Sequence, residues 1–260
     1  VKSLHATDLE RNVADILKEG RTLKTLRHPA IIQVDDSDYA DPGQQRPYLV
    51  LEHFADSQSL GAYVEAHGPL PLADSLAIAR PVAEALAAAH QAGILHRDLK
   101  PDNLLVKREA NGRWQVKLID FGMALRQKLV KETLATSSFQ HSLLGQSLGG
   151  TYHLAAPEQL GLRTEPVGPY SDVYGYGKTL CYALFQITEP TMEEWSRIGF
   201  DHPLVKLLNR CIHADPSRRP QSFQEVLQAL ETIEGKAAQV TPAAPARQDE
   251  RPAHSPPVTQ

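Results

Sequence analysis

The sequence has little cysteine, no long hydrophobic run and no excess of positive charge, and each shortage excludes a class of protein. Its 260 residues include only two cysteines, too few for a disulfide framework, which favours a reducing compartment such as the cytoplasm. No stretch reaches the roughly 18 consecutive apolar residues of a membrane-spanning helix, and no signal peptide is recognisable. A formal net charge of −4 gives no electrostatic reason to expect binding to nucleic acid.

What is present is a globular pattern followed by a short biased segment. Apolar residues make up 42% of the chain, which is ample for a core, and one or two domains are expected. Segments 31–34 and 48–52 have the pattern of strands, and helical spacing dominates after Leu60. Residues 237–260 are rich in Ala, Pro and Gln without apolar periodicity, which predicts a disordered tail or linker. Because the first residue is not methionine and Val1-Lys2 has strand character, we expect the chain to be a fragment.

The most informative stretch runs from Ile94 to Gly122. Two apolar runs within it, 104–106 and 116–119, flank the dipeptide Asn111-Gly112. An Asn-Gly pair between such runs is the strongest short-range signal for a β-hairpin, because both residues of a two-residue turn need positive φ. The sequence therefore predicts a hairpin with its tip at Asn111-Gly112.

The residues at the open end of this hairpin form a candidate metal site. A two-residue turn places Leu104 opposite Ile119 and Asn103 opposite Asp120. Directly opposed residues lie about 5 Å apart, and amide and carboxylate oxygens are ligands that suit Mg²⁺. Asp98 precedes Asn103 in a polar loop, so we expect a second carboxylate close to the same end.

Three motifs now carry a family resemblance. HRDLKPDN at 96–103, DFG at 120–122 and APE at 156–158 occur in the order and rough spacing of eukaryotic-type protein kinases. The resemblance extends from Val1 to roughly Ile233 and is closest to bacterial serine/threonine kinases. It implies an α+β, two-lobed fold. Residues 1–54 would form a small β-rich N-lobe and hinge, without its first two strands, and residues 55–236 a larger, mainly helical C-lobe.

The resemblance implies transfer of the ATP γ-phosphate to Ser or Thr hydroxyls of proteins, with this protein itself among the expected substrates. Asp98 would accept or orient the proton of the substrate hydroxyl. Lys100 would steady the γ-phosphate, and a lysine at this position is typical of serine/threonine kinases. Asn103 and Asp120 would hold Mg²⁺.

It also implies an ATP site between the lobes. Lys2 would contact the ATP phosphates and pair with Glu19. The backbone from Glu52 to Phe54 would be the hinge that hydrogen-bonds adenine, behind the gatekeeper Leu51. Leu105, on a face of the hairpin, would form the floor under the adenine ring.

Other motif residues have implied structural or regulatory roles. Arg97 would pair with a phosphate placed on the hydroxyl-rich segment between Gly122 and Ala156, and Thr151 would bond the catalytic aspartate. Asp172 would hold the backbone of the catalytic loop, and Arg219 would pair with Glu158. The resemblance assigns packing roles, and no catalytic role, to four further residues: Leu23, Val34, His96 and Phe121.

One departure from the family pattern leaves alternatives open. The sequence contains no Gly-x-Gly-x-x-Gly loop, which covers the phosphates in protein kinases, so the chain by itself is expected to bind ATP poorly and transfer phosphate slowly. A catalytically silent scaffold that uses the fold for binding is one alternative. A small-molecule kinase of the aminoglycoside or choline type is another, but that class generally lacks APE and the helical segment that holds Asp172.

Overall fold

The structure is a computed structural model and describes residues 2–3, 23–43, 47–121 and 154–240. Within these ranges the chain forms two small sheets and a helical region. The strands are β1 Lys2–Ser3, β2 Val34–Tyr39, β3 Pro47–Leu51, β4 Gln58–Ser59, β5 Leu104–Arg108 and β6 Trp114–Leu118. The α-helices are α1 Leu60–His67, α2 Leu72–Gln91, α3 Pro169–Phe185, α4 Met192–Ile198, α5 Pro203–Cys211 and α6 Phe223–Val240. No helix in the described ranges is both long and apolar enough to cross a membrane.

The first sheet has the order β1-β3-β2 and is antiparallel throughout. Lys2 pairs with Leu49, which confirms the strand predicted at the start of the chain. The prediction of a strand at 31–34 was wrong in its position. The strand begins at Val34 and continues to Tyr39, because the polar residues after Val34 pair across the sheet with β3.

The second sheet has the order β4-β5-β6 and contains the predicted hairpin. Its tip is a three-residue loop, so the prediction of a two-residue turn was wrong. Glu109 donates its N–H to the carbonyl of Arg113 at 2.9 Å, and Gly112 alone in the loop has positive φ, at 83°. The side-chain oxygen of Asn111 accepts from the N–H of Arg113 at 2.8 Å, which favours this longer loop.

The two sheets are joined directly. The N–H of Ile32 donates to the carbonyl of Leu118 at 2.9 Å, and the N–H of Leu118 donates to the carbonyl of Ala30 at 2.8 Å. These bonds form a short parallel bridge between the segment that leads into β2 and the end of β6. The bridge lies just before the DFG motif and fixes the first sheet against the second.

The helical region is built around α3, in which nearly every residue from Ser171 to Phe185 is buried. Helices α2, α5 and α6 pack around it, and α2 continues through Pro81 without a break. Cys181 and Cys211 are both buried and unbridged. Helix α6 reaches Val240, past the point where composition predicted the tail to begin, and residues 241–260 lie outside the described ranges.

Candidate active site

The loop between α2 and β5 brings three of the predicted site residues together. A short 3₁₀ helix, Pro101–Asn103, turns the chain so that Asn103 points back at Asp98. The Asn103 Nδ2 donates to the Asp98 carbonyl oxygen at 2.7 Å and to the Asp98 Oδ2 at 3.0 Å. Lys100 Nζ lies 3.1 Å from the same Oδ2. The Asp98 carboxylate is only 17% exposed and is therefore held in one place by a cation and an amide.

These bonds orient the Asn103 amide. Both of its partners on Asp98 are acceptors, so the nitrogen must face Asp98 and the Oδ1 must face away from it. That oxygen is the type of ligand a hard cation requires. In the described part of the chain no three His, Cys, Asp or Glu side chains cluster as a metal site. The oxygen donors that the sequence predicted for a metal here are those of Asn103 and Asp120.

Asp120 does not lie opposite Asn103, so that expectation was wrong. The three-residue loop shifts the register of the hairpin by one residue, and Leu104 pairs with Leu118. The N–H of Ile119 donates to the Asn103 carbonyl at 3.0 Å, so Asn103 lies opposite Ile119. Asp120 follows with a φ of 59°, so the extended backbone conformation of the strand does not continue through it. Its side chain is half-buried. A non-glycine residue in this region is strained, and such strain is concentrated at functional sites.

His96 is fully buried and behaves as a packing and bonding residue, as expected. Its ring packs against that of Phe121 with the ring centres 4.7 Å apart and the ring planes tilted by 55°. Its Nε2 is 3.1 Å from the Ile119 carbonyl, and its Nδ1 accepts from the Asp98 N–H at 3.3 Å. These partners require the neutral tautomer with the proton on Nε2. Burial lowers the pKa of His96, although the nearby carboxylates of Asp172 and Asp98 offset part of the effect.

Asp172 lies beneath this loop. Its two carboxylate oxygens accept from the backbone N–H groups of His96 and Arg97, both at 2.7 Å. His90, at the end of α2, places its Nε2 2.8 Å from the same side chain. Arg97 has φ of 63°, so Asp172 holds a strained peptide in place. His90 was not expected, because nothing in the sequence distinguishes it from other polar residues near a helix end.

The APE segment is anchored to the helical core. Arg219 donates to Glu158 through two nitrogens, at 2.7 and 3.0 Å, and both side chains are fully buried. Ser171, in the first turn of α3, donates to the same carboxylate at 2.8 Å. Gln159 follows and reaches the carbonyl of Arg97. Gln159 was not predicted from the sequence, in which its position directly after APE is its one distinguishing feature.

The hinge residues form bonds of their own. The Glu52 carboxylate lies 2.5 Å from Lys117 Nζ and accepts from the Gln33 N–H at 2.9 Å. Burial by itself raises the pKa of Glu52, but these bonds outweigh it and hold the pKa below its usual value. Ser57 donates to the Phe54 carbonyl at 2.6 Å. Leu105 is only partly buried, whereas its neighbours in β5 on the other face are fully buried.

Other predicted residues lie outside the described ranges: the Lys2 side chain, Glu19, Thr151, and the hydroxyl-rich segment from Gly122 to residue 153.

A small sheet at the N-terminal side, a helical region at the C-terminal side and an Asp-Lys-Asn cluster between them define a kinase-type fold. The protein kinase domain model matches residues 1–230, and the chain belongs to the protein kinase family.

Two bacterial kinases are among the relatives that match the chain. The chain is 30% identical to the serine/threonine-protein kinase pkn2 of Myxococcus xanthus over 254 residues, covering 86% of this chain and 28% of that protein. It is 28% identical to the serine/threonine-protein kinase PrkC of Bacillus subtilis over 228 residues, covering 86% of this chain and 30% of that protein. The chain therefore spans about three-tenths of the length of these relatives. The PknI kinase domain of Mycobacterium tuberculosis has the same fold, with a TM-score of 0.65 at 21% identity, covering 90% of this chain and 84% of that one.

Proposed function

We propose that this chain is the catalytic part of a protein serine/threonine kinase that transfers the ATP γ-phosphate to Ser or Thr hydroxyls of proteins. The observation that supports this most directly is that Lys100 Nζ and Asn103 Nδ2 both contact one oxygen, Oδ2, of the Asp98 carboxylate. The family match and the names of the relatives support the same reaction.

In the proposed reaction the hydroxyl oxygen of the substrate attacks the γ-phosphorus, and the bond from that phosphorus to the β,γ-bridging oxygen breaks. Asp98 accepts or orients the hydroxyl proton, and its orientation is maintained by the Asn103 amide. Lys100 lies against the same carboxylate and would contact the γ-phosphate. Asn103 Oδ1 and the Asp120 carboxylate would hold Mg²⁺, whose charge would stabilise the phosphoryl oxygens.

The hinge bonds suggest which backbone groups meet adenine. The Glu52 N–H already donates to the Gln33 carbonyl at 2.9 Å, and the Phe54 carbonyl already accepts from Ser57. We therefore assign the Glu52 carbonyl and the Phe54 N–H to the adenine edge. Leu105 is partly exposed, which is compatible with the proposal that it lies beneath the adenine ring of ATP.

The remaining assignments belong to the same proposal. Residues 1–54 form the N-lobe and hinge, residues 55–236 the C-lobe and residues 237–260 a tail. Lys2 would pair with Glu19, and Arg97 would pair with a phosphate carried by the hydroxyl-rich segment that precedes APE. Protein substrates are the partners, and the buried, unbridged Cys181 and Cys211 are compatible with a reducing, cytoplasmic location.

The test is transfer of labelled γ-phosphate to the protein itself or to a basic protein substrate. Asp98→Asn should reduce the rate by at least about 100-fold, because a positioned base contributes about 10²–10⁴. Asp102→Asn is the matched control, since Asp102 is an exposed carboxylate of the same loop, in its 3₁₀ helix. Retained transfer in Asp98→Asn, with a rate equal to that of Asp102→Asn, would exclude the catalytic assignment.

The assay should compare this chain with a fusion that adds a glycine-rich loop at its N-terminal end, because such a loop covers the phosphates in this family. We expect slow transfer by the chain alone and faster transfer by a polypeptide that supplies the loop. Nucleotide binding without transfer in both would favour the scaffold alternative.

A further inference from the structure

The side chain of Gln159 connects two segments that meet beside the candidate active site. Its Nε2 donates to the carbonyl of Arg97 at 2.8 Å, and its Oε1 accepts from the N–H of Ala156 at 3.0 Å. The side chain is buried, with 4% of the residue exposed. One amide group therefore links the catalytic loop to the APE segment, although the two lie about 60 residues apart in the chain.

The peptide that Gln159 holds is a strained one. Arg97 has φ of 63°, a conformation that a residue with a long side chain rarely adopts without support. Asp172 accepts the Arg97 N–H at 2.7 Å, and Gln159 donates to the Arg97 carbonyl at the other end of the residue. Asp98 is the next residue, so any relaxation of this conformation would change the direction in which its carboxylate points.

Only an amide side chain of this length satisfies both partners. The Arg97 carbonyl needs a donor, and the Ala156 N–H needs an acceptor, so the orientation of the Gln159 amide is fixed by its partners. A carboxylate at this position could accept from Ala156 but would place an acceptor against the carbonyl of Arg97. An apolar side chain would leave both buried backbone groups without a partner.

The backbone of Gln159 is itself well fixed. Its N–H donates to the Ala156 carbonyl at 2.9 Å, and the preceding residue, Glu158, is bonded to Arg219 and Ser171. The position of Gln159 is thus set by the helical core. A displacement of the APE segment would remove the donor from the Arg97 carbonyl.

We infer that Gln159 is a positioning residue for phosphoryl transfer: it holds Arg97 in its left-handed conformation and thereby sets the direction of the Asp98 carboxylate. The inference deepens the proposed kinase function and rests on it. It also makes the APE segment a direct determinant of the geometry at Asp98.

The first test compares Gln159→Glu and Gln159→Met with wild type in the phosphate-transfer assay. Misplacing a catalytic group by about 1 Å lowers rates by up to about 100-fold, so we expect kcat to fall by about ten- to a hundredfold. The KM for ATP should stay within about twofold, because the residue does not contact the nucleotide site. Gln221→Glu is the matched control, since Gln221 also donates to backbone carbonyls, those of Pro216 and Arg219, and should leave kcat unchanged.

The second test is independent of activity. Amide hydrogen exchange in the peptide around Arg97 and Asp98 should be faster in both Gln159 variants than in wild type and unchanged in Gln221→Glu. Gln159→Glu keeps the bond to Ala156, so it remains informative even if Gln159→Met does not fold. Unchanged exchange in the catalytic loop, or an unchanged kcat in a folded variant, overturns the inference. If the wild-type protein transfers no phosphate, the proposed function is rejected, and so is a role of Gln159 in transfer. In that case, faster hydrogen exchange in the Gln159 variants would show that Gln159 restrains Arg97 structurally and does nothing further.

Discussion

Arg219 and Glu158 form a two-pronged ion pair across 61 residues of sequence, and neither side chain is exposed to solvent. The Arg219 guanidinium also lies over the face of Tyr174, with its carbon 4.7 Å from the ring centre. Three further nitrogen contacts reach the backbone carbonyls of Tyr170, His213 and Ala214. The pair therefore joins the end of the APE segment, helix α3 and the loop before α6 into one unit.

Removing one partner of this pair should be strongly destabilising. Arg219→Met leaves the Glu158 carboxylate buried without its cation, and we expect a loss of about 3–5 kcal/mol in the free energy of unfolding, measured by urea denaturation. Arg197→Met is the control, because Arg197 and Glu193 form an exposed pair worth less than about 1 kcal/mol. Adding Glu158→Leu to Arg219→Met should recover part of the loss. Equal effects of the two single variants would contradict this account.

Asp172→Asn should weaken the catalytic loop. The carboxylate accepts from the N–H groups of His96 and Arg97, and an amide offers only one oxygen to them. We expect a loss of about 1.5–3 kcal/mol in unfolding free energy together with a lower kcat. Asp74→Asn removes a carboxylate whose ion pair, with Arg108, is partly exposed, and should change stability by less than about 1 kcal/mol. If both variants behave alike, the bonds to the loop contribute little.

Stability should fall as the pH drops below about 6.5, in part because of His96. Burial lowers the pKa of His96 in the folded protein relative to the unfolded chain. The unfolded chain therefore takes up a proton first as the pH falls, which favours unfolding by up to about 1.4 kcal/mol per pH unit. Urea denaturation of wild type and His96→Phe at pH 7.5, 6.5 and 5.5 measures this effect. The stability advantage of wild type should shrink at low pH, and parallel curves would show that His96 is not its source.

Two glycines should respond to alanine in opposite ways. A Cβ at Gly177, within α3, would lie 2.6 Å from Cys211 Cβ and 2.8 Å from Ile212 Cγ2. Gly177→Ala should therefore destabilise by about 1–3 kcal/mol, because neither neighbour can move far. Gly235, in the interior of α6, has open space around it, and Gly235→Ala should stabilise by about 0.5–1 kcal/mol. Thermal unfolding of both variants checks this, and shifts of the same sign would contradict the packing described around α3.

The sequence predicted that residues of one motif would lie together, but it did not predict the register of the hairpin that follows them. The HRDLKPDN motif identified Asp98, Lys100 and Asn103, and the structure brings them into contact. The predicted location of the hairpin was also correct. Its register was not, because Asn-Gly is compatible both with a two-residue turn and with a type I turn followed by a glycine in the left-handed region.

The choice between these turns depends on bonds that a local pattern does not reveal. The Asn111 side chain bonds the N–H of Arg113, and Glu109 pairs with Arg113 to close the longer loop. Similarly, the link from Gln159 to Arg97 depends on how distant segments pack. Gln159 and Arg97 both lie at recognisable motifs, but no local pattern indicates that their backbone and side-chain groups meet.

Because residues 30–32 form a backbone bridge with Leu118, the two sheets are connected at two places. Besides the covalent connection through residues 52–57, backbone bonds tie the chain leading into β2 to the last residue of β6, two positions before Asp120. Rotation of the first sheet would therefore pull on the peptide that leads to Asp120. A rotation of one lobe relative to the other would therefore shift the position of the Asp120 carboxylate.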